Sequence, residues 1–579
     1  MKLKNLAVLF TAGALAVSLA ACSKNQPEGE GSSGSDGKYA DPITIDVFDG
    51  LANFMGIKEG WFAKIVKDKF NMEMNIIAPN VAGQGDTLYN TRVAGGDLGD
   101  LVIMDKGQQL DELVEGGLLM DLSNDYADMT YANEFDAAVD KLNASYDGIY
   151  GLPTSVSHLK PTEPSEGEDP TFGPFLRWDY YAELGYPEIA TLEDLLPILA
   201  DMQAAHPTGD NGQPAYALSF FKDWDGNMMN NAKQPTCFYG YDELGFVLAK
   251  ADGSDYQSII DSDSEYVRTL KFFQKAQEMG LVDPESSTQN YDTLFTKYQN
   301  GQVLFSFWPW LGQSAYNTTE HLAQGKGFEI APLEDMTVFS YGAEVYGGKQ
   351  FIGIGSQAED PERIADFIDW LYSPEGTNDS GSDTMSAPGP EGLTWEEGTD
   401  GPVLTDFGKK ALLGSEAEVA AEWGGGIYED GVSPLNVPVV LAIDENPETN
   451  YPYKYTFWPS YQAENTNPLL TDWQSQMGDV ATTMDYLKAQ DQLMVAPGAS
   501  FVAPADSAEI ETVRNQVKAQ IVSYSWQMVF APDQAGFDSL LTQMQSTVDG
   551  LGYQTVLEWD MANAKDQNAQ RQAVAKEFG

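Results

Sequence analysis

Apolar residues alternate with polar ones from Ile43 to Phe48 (ITIDVF), the period of a half-buried strand, and Asp49-Gly50 closes it. Trp61, Phe62, Ile65, Val66 and Phe70 then recur at helical spacing, and the apolar run Met74–Ala78 predicts a second strand. Leu101-Val102-Ile103-Met104 predicts a third strand after the turn Gly95–Asp100. Leu110, Leu113 and Val114 predict a helix stopped by Gly116-Gly117. This alternation predicts an α/β architecture with a largely parallel sheet.

A second series starts after Gly151-Leu152-Pro153. Thr191 and Asp194 have the spacing of a capping box, and Pro197 is predicted to kink the helix that follows. Tyr266, Leu270 and Phe273 mark a helix ended by Gly280 and Pro284, and Val303–Phe307 reads as a strand. Asp360-Pro361 forms an N-cap and N1 pair for a helix through Ile364, Phe367, Ile368 and Leu371, ending near Pro374. Residues 378–401, rich in Gly, Ser, Pro and acid, are predicted to be loop. No period of about 20 to 50 residues recurs, which argues against a solenoid.

The N-terminus has a different character. Lys2 and Lys4 precede the uncharged stretch Asn5–Ala21, and Leu19-Ala20-Ala21-Cys22 closes it. Residues 1–22 read as a secretory signal and not a fold element: the uncharged stretch sits at the short edge of what spans a bilayer, and small residues precede Cys22 as a signal peptidase requires. Leu-Ala-Ala-Cys resembles the lipobox of bacterial lipoproteins, whose cysteine thiol is diacylated; the alternative is an ordinary signal peptide with a coincidental Cys22. Residues 23–40 have the Gly/Ser-rich, aperiodic composition of a flexible linker. No later segment approaches the roughly 20 apolar residues of a membrane-spanning helix.

Charge then narrows the partners. The 88 Asp and Glu outweigh 32 Lys and Arg for a net charge of −56 over 579 residues, and residues 1–40 carry almost none of it. Nucleic acid and anionic membrane surfaces are excluded, because both are bound by neutralising phosphates with Lys and Arg. A content of 42% hydrophobic and 12% aromatic residues still supplies large cores, more than one at this length. Three His and two Cys argue against a zinc cluster or a disulfide framework, and Cys237 has no partner if Cys22 is modified.

The order of several segments resembles a known family. These are Gly96–Val102 (GDLGDLV), Leu113–Leu122 (LVEGGLLMDL), Asp147–Pro153 (DGIYGLP), Leu176–Gly185 (LRWDYYAELG), Glu278–Pro284 (EMGLVDP), Gly301-Gln302-Val303, Pro361–Gly376 (PERIADFIDWLYSPEG) and Glu391–Trp395 (EGLTW). Together they resemble the extracellular solute-binding lipoproteins of carbohydrate ABC importers (bacterial solute-binding protein family 1, the large branch common in Firmicutes). The resemblance covers about residues 41–400, and the last third matches only in helical character. It implies a two-lobed, periplasmic-binding-protein-like (type II) α/β fold with the ligand cleft between the lobes. Lobe 1 would comprise residues 41–153 plus 327–375, and lobe 2 residues 154–326 plus 376–579. It further implies an oligosaccharide ligand, an ABC permease partner, a monomer, and a lipid-anchored site on the outer face of the cytoplasmic membrane. No cofactor is implied. The acidic calcium loop of some alginate-binding relatives is replaced here by His206–Gly212 (HPTGDNG), which argues against a bound metal.

A sugar ring has apolar CH faces and a belt of hydroxyls, so a site for it needs flat aromatic walls and planar polar groups. Trp178, between Arg177 and Asp179, and Trp308 and Trp310, directly after a predicted strand, are the leading candidates, since the family places cleft residues at those motifs. Tyr341, Trp423 and Trp458 are aromatics in turn contexts; Asp49, Asn53 and Thr154 end or follow predicted strands and are candidate hydroxyl partners. Trp61, Trp370 and Trp559 lie on helical patterns and are assigned to cores. Each candidate has a packing role as its competing explanation, and Arg177 has Asp179 as a structural partner within reach. The competing functional classes are a lipid-anchored glycoside-processing enzyme and a surface adhesin without small-molecule ligand. Against the enzyme, the chain contains no HExxH, G-x-S-x-G or Walker A motif, and adjacent acids such as Glu396-Glu397 arise by chance among 88. Against the adhesin stand the strand–helix alternation and the order of the family-like segments.

Overall fold

A computed structural model describes residues 38–79, 86–382, 385–413 and 416–579; Cys22 and most of the linker lie outside the described residues. The chain forms two α/β lobes, each around its own hydrophobic core. The first is built on a six-stranded sheet in the order Gly56–Ile57, Met72–Ile77, Ile43–Asp49, Leu101–Asp105, Gln350–Ile354, Leu152–Pro153. Ile43–Asp49 runs parallel to both neighbours, while the remaining pairings are antiparallel, so the sheet is mixed and not largely parallel as expected. Helix Trp61–Phe70 buries Trp61, Phe62, Ile65, Val66 and Phe70 against it, the face that the sequence period marked. Helix Pro361–Tyr372 covers it too, capped by the Asp360 side chain with Pro361 in its first turn.

The second lobe is organised around a three-stranded antiparallel sheet in the order Phe305–Ser306, Phe175–Arg177, Phe328–Ile330. Around it pack helices Leu195–Ala205, Glu265–Glu278, Ala508–Val529 and Gln534–Gly550, all contributing to one core. The Thr191–Asp194 capping box forms in full. The helical segment after it starts at Leu195, so Pro197 falls in the first turn, where its missing N–H has no intrahelical carbonyl to lose; no kink is needed.

Two parts of the sequence reading are corrected. Residues 378–401 are not all loop: Ser373 caps a short helix Pro374–Ser380, and Trp395–Gly398 pairs with Gly401–Leu404 as a hairpin. Side chains between Leu393 and Tyr453, among them Tyr428, Val437 and Val440, join the first core, although the expected division put everything after 376 in the second lobe. The sparse apolar residues of this acidic, glycine-rich stretch find their partners far away in sequence, beyond the reach of local periodicity.

The connections between lobes leave and enter each sheet at a defined end. Gln350 pairs with Asp105 and Phe351 with Pro153, so strand Leu152–Pro153 ends, and strand Gln350–Ile354 begins, at the carboxyl edge where Asp49 and Asp105 lie. Two of the three crossings, those after Pro153 and before Gln350, therefore leave the first lobe at that edge, and Gly348 N donates to Thr154 O (2.7 Å) to tie them together. On the second lobe the incoming chain reaches Phe175, which pairs with Ser306 and Ile330. The chain thus enters that sheet at its Phe175 end, and Arg177 marks the opposite end.

Candidate functional site

Three segments meet near the Phe175 end of the second lobe's sheet and assemble an aromatic platform. Strand Phe305–Ser306 runs directly into Trp308 and the helix Pro309–Tyr316, which carries Trp310 in its first turn. Helix Tyr291–Gln299 presents Tyr291, whose N–H donates to Asp223 (2.9 Å). The turn holding Trp224 is pinned by Asp225, which accepts from Asn230 N (2.9 Å) and from Trp526 Nε1 (2.7 Å). Trp224 stacks on Tyr291 at 4.9 Å and 23°, lies 5.6 Å from Trp310, and is 47% exposed. Trp308, 4.9 Å from Trp310, is buried behind them. An exposed Trp held rigid by other rings is a flat apolar face waiting for a partner.

Polar groups stand next to this platform. One turn beyond Trp310, Gln313 Nε2 donates to Glu329 (3.2 Å). Burial, with Asp169 nearby, pushes the Glu329 carboxyl well above the carboxylate range, and burial pushes Asp169 up to about 6.

The first lobe offers a groove of about 700 Å³ lined by Asn53, Phe54, Lys58, Gly424–Gly426, Asp430 and Asn436. Its floor is tight: a Cβ on Gly60 (φ +95°) would stand 2.4 Å from Gly431 Cα. Lys58 Nζ donates to Asp430 O (2.7 Å) and sits 5.0 Å from the Phe54 ring centroid. Beside the groove Asp49 is fully buried, accepting from Leu51 N (2.8 Å) and Asn436 N (3.4 Å), while Asn436 Nδ2 donates to Leu51 O (2.9 Å). Burial raises the Asp49 carboxyl to about 6 against those N–H groups, which favour its charge. Among the described residues no group of three or more His, Cys, Asp or Glu is placed to hold a metal ion, and no helix is long and apolar enough to cross a membrane.

A family model described as bacterial extracellular solute-binding protein matches residues 61–394, more than half of the chain. The chain belongs to this family. Solved structures similar to this solute-binding protein include the S. pneumoniae ABC-transporter substrate binding protein FusA in complex with kestose. It has 14% identity and a TM-score of 0.57, with 91% of this chain and 99% of that one covered. An HMO binding ABC-transporter associated solute binding protein from Bifidobacterium longum infantis shows 15% identity and a TM-score of 0.53 over 91% and 99%. Alginate-binding protein AlgQ2 without calcium ion shows 15% and 0.53 over 91% and 98%. At these identities the likeness is one of fold. No curated protein matches the sequence.

Within the solute-binding fold, the residues singled out from sequence fall into distinct places. Trp308 and Trp310 stand directly after the strand Phe305–Ser306, with Trp308 buried as the backing of the platform. Trp178 stands at the other end of the same sheet, 1% exposed, its Nε1 donating to Asp472 (2.7 Å). Arg177 is fully buried; its Nε and Nη2 donate to Asp179 (2.8 and 2.6 Å), and its guanidinium lies between the rings of Tyr180 and Tyr316, 3.9 and 4.2 Å from their centroids. The structure therefore does not bring Arg177, Trp178 and Asp179 together with Trp308 and Trp310: they lie at opposite ends of the strand Phe175–Arg177.

Asn53 is exposed in the first-lobe groove and Asp49 buried beside it, whereas Thr154 is buried and spends its hydroxyl on Gln350 O (3.0 Å). Tyr341 begins the second crossing, its hydroxyl donating to Asp242 (3.1 Å), and Trp423 stands half-buried next to the Gly424 turn. Trp458 is buried against Trp395 with its Nε1 on Pro452 O (2.8 Å), a packing role. Trp61 and Trp370 are core residues as expected; Trp559 is half-buried with Nε1 on Asp506 (3.0 Å). Cys237 is a buried free thiol raised to about 12 by burial.

Sequence reasoning missed Trp224, Tyr291 and Phe54. The signal for Trp224 was present: a lone Trp in Lys222–Gly226 (KDWDG), a polar turn directly after Phe220-Phe221.

Proposed function

We propose that this solute-binding protein is the receptor of an ABC importer and captures an oligosaccharide outside the membrane by closing its lobes over it. The observation that carries this reading is the exposed Trp224, stacked on Tyr291 beside Trp310 near the Phe175 end of the second lobe's sheet. Such a surface matches the CH faces of sugar rings, and the groove at the first lobe's carboxyl edge supplies Asn53, Asn436 and backbone groups for hydroxyls. The fold it shares with a substrate binding protein solved with kestose agrees with this ligand class. Acids outnumber bases around both surfaces, with Glu59, Glu429 and Asp430 beside Lys58 and Asp223 and Asp225 beside Lys222, which favours a neutral sugar over a uronate.

Calorimetry against neutral and uronic oligosaccharides, with product analysis, tests the reading. Saturable binding of a neutral oligosaccharide recovered intact is expected; hydrolysis of the bound sugar would move the protein to the enzyme class, and no carbohydrate binding would remove the reading.

The core clusters support a first lobe of about residues 38–156 and 344–465 and a second of about 157–343 and 466–579. The protein is proposed to act as a monomer, tethered through diacylated Cys22 and the 23–40 linker. The tether would keep it near its permease without a strong permanent interface. Cys22→Ala is expected to move it from the membrane fraction to the soluble one; an unchanged fractionation would refute the anchor.

A further inference from the structure

The C-terminal helix Tyr553–Phe578 links the second lobe's core to the hinge. At its start Tyr553 and Val556 lie in that core, and Asp560 receives Arg514 Nη1 and Nη2 (2.8 and 2.7 Å) and Phe246 N (2.7 Å). At its end it reaches the second crossing. Val574 packs with Val345, Tyr346 and Ala499. The Tyr346 hydroxyl donates to Glu577 (2.9 Å), and the Phe578 ring meets Tyr346 edge-on at 5.7 Å. Lys141, from the first-lobe helix Asp136–Asn143, lies 5.4 Å from the centroid of the same ring. Tyr346 is thus held between the first lobe and the last turn of a helix rooted in the second. The neighbouring Gly347 O is gripped from both sides as well, by Lys106 Nζ (3.0 Å) and by Ser500 Oγ (2.8 Å).

We propose that the last turn of the C-terminal helix, through Val574, Glu577 and Phe578 on Tyr346, braces the hinge and so sets how freely the lobes open. The inference rests on the reading that ligand closes the lobes. A crossing clamped at Tyr346 samples few conformations, so closure onto ligand loses little entropy. Released, the crossing explores more openings, and the same closure costs more. None of these residues lines the groove or belongs to the platform, so the brace acts on the ligand only through the hinge.

The test is hydrogen–deuterium exchange on the full-length protein without ligand, compared with a chain ending at Ala573 and with Tyr346→Phe, which keeps the ring and loses the hydroxyl. The amides of Ala343, Gly347 and Gly348, which donate to Glu163 O, Glu344 O and Thr154 O, report the crossing. Exchange there is expected to rise about fivefold or more in the shortened chain, and less in Tyr346→Phe, while the strands of both cores keep their protection. Unchanged exchange at the crossing in both variants would overturn the brace. If the shortened chain loses protection throughout, Tyr346→Phe alone decides, acceleration confined to the crossing supporting the brace and none refuting it. Because ligand is absent, failure here is distinct from failure of lobe closure, which is read by compaction on binding.

Discussion

Trp224→Ala is expected to weaken binding of the cognate oligosaccharide by about 2 kcal/mol or more, roughly thirtyfold, while leaving thermal unfolding within a few degrees of the parent. The asymmetry comes from where the ring stands. Nearly half of Trp224 is in contact with water, so its removal takes little from the folded protein, yet it presents the open face of a platform fixed by Tyr291 and Trp310. A sugar ring laid on that face covers apolar carbon on both sides without ordering anything, since the aromatic is already positioned. Trp308→Ala is the internal control: Trp308 is 3% exposed, and its loss should cost about 3 to 5 kcal/mol of stability through a cavity. Titration calorimetry and a thermal melt on both variants separate the two effects. Unchanged affinity in Trp224→Ala, with the fold intact, would take the platform out of the site.

Asp179→Ala is expected to destabilise the second lobe by about 3 to 5 kcal/mol and to leave the ligand affinity of the protein that remains folded unchanged. Arg177 is fully buried, and Asp179 supplies its bidentate partner. Removing Asp179 strands a guanidinium that has no water to return to, whereas the Tyr180 and Tyr316 rings against its faces only partly compensate. The paired change Arg177→Met with Asp179→Leu should recover most of the loss, because it removes the buried charge together with its partner. Urea denaturation of the single and double variants measures this. A single variant as stable as the parent but impaired in binding would return Arg177 to the ligand, the role that the sequence suggested.

How much was legible depended on how local the cause was. Asp360-Pro361 and the Thr191–Asp194 box act within one helical turn, and both form as read. Trp308-Pro309-Trp310 does follow the strand Phe305–Ser306, because the end of a strand is a topological fact that short sequence carries. Arg177-Trp178-Asp179 also adjoin a strand, but at the end opposite to Trp308, and only the antiparallel pairing of Phe175 with Ser306 and Ile330 separates the two. Pairing partners 130 or more residues apart leave no local signature. The same holds for residues 393–453, whose scattered apolar side chains complete the first core, and for Trp458, which looks like an exposed turn aromatic until Trp395 is brought against it. Trp224 was passed over for the opposite reason: one aromatic in a polar turn has no period to betray it.

The central claim is that ligand contacts made from both lobes exist together only when the lobes close, so binding must draw the population toward a closed form by its differential affinity. That closed pair of lobes is what a permease would recognise. Small-angle X-ray scattering of the mature protein, with and without saturating amounts of the oligosaccharide that calorimetry identifies, measures the change directly. The account requires a smaller radius of gyration in the loaded protein; an unchanged radius at saturation would contradict it.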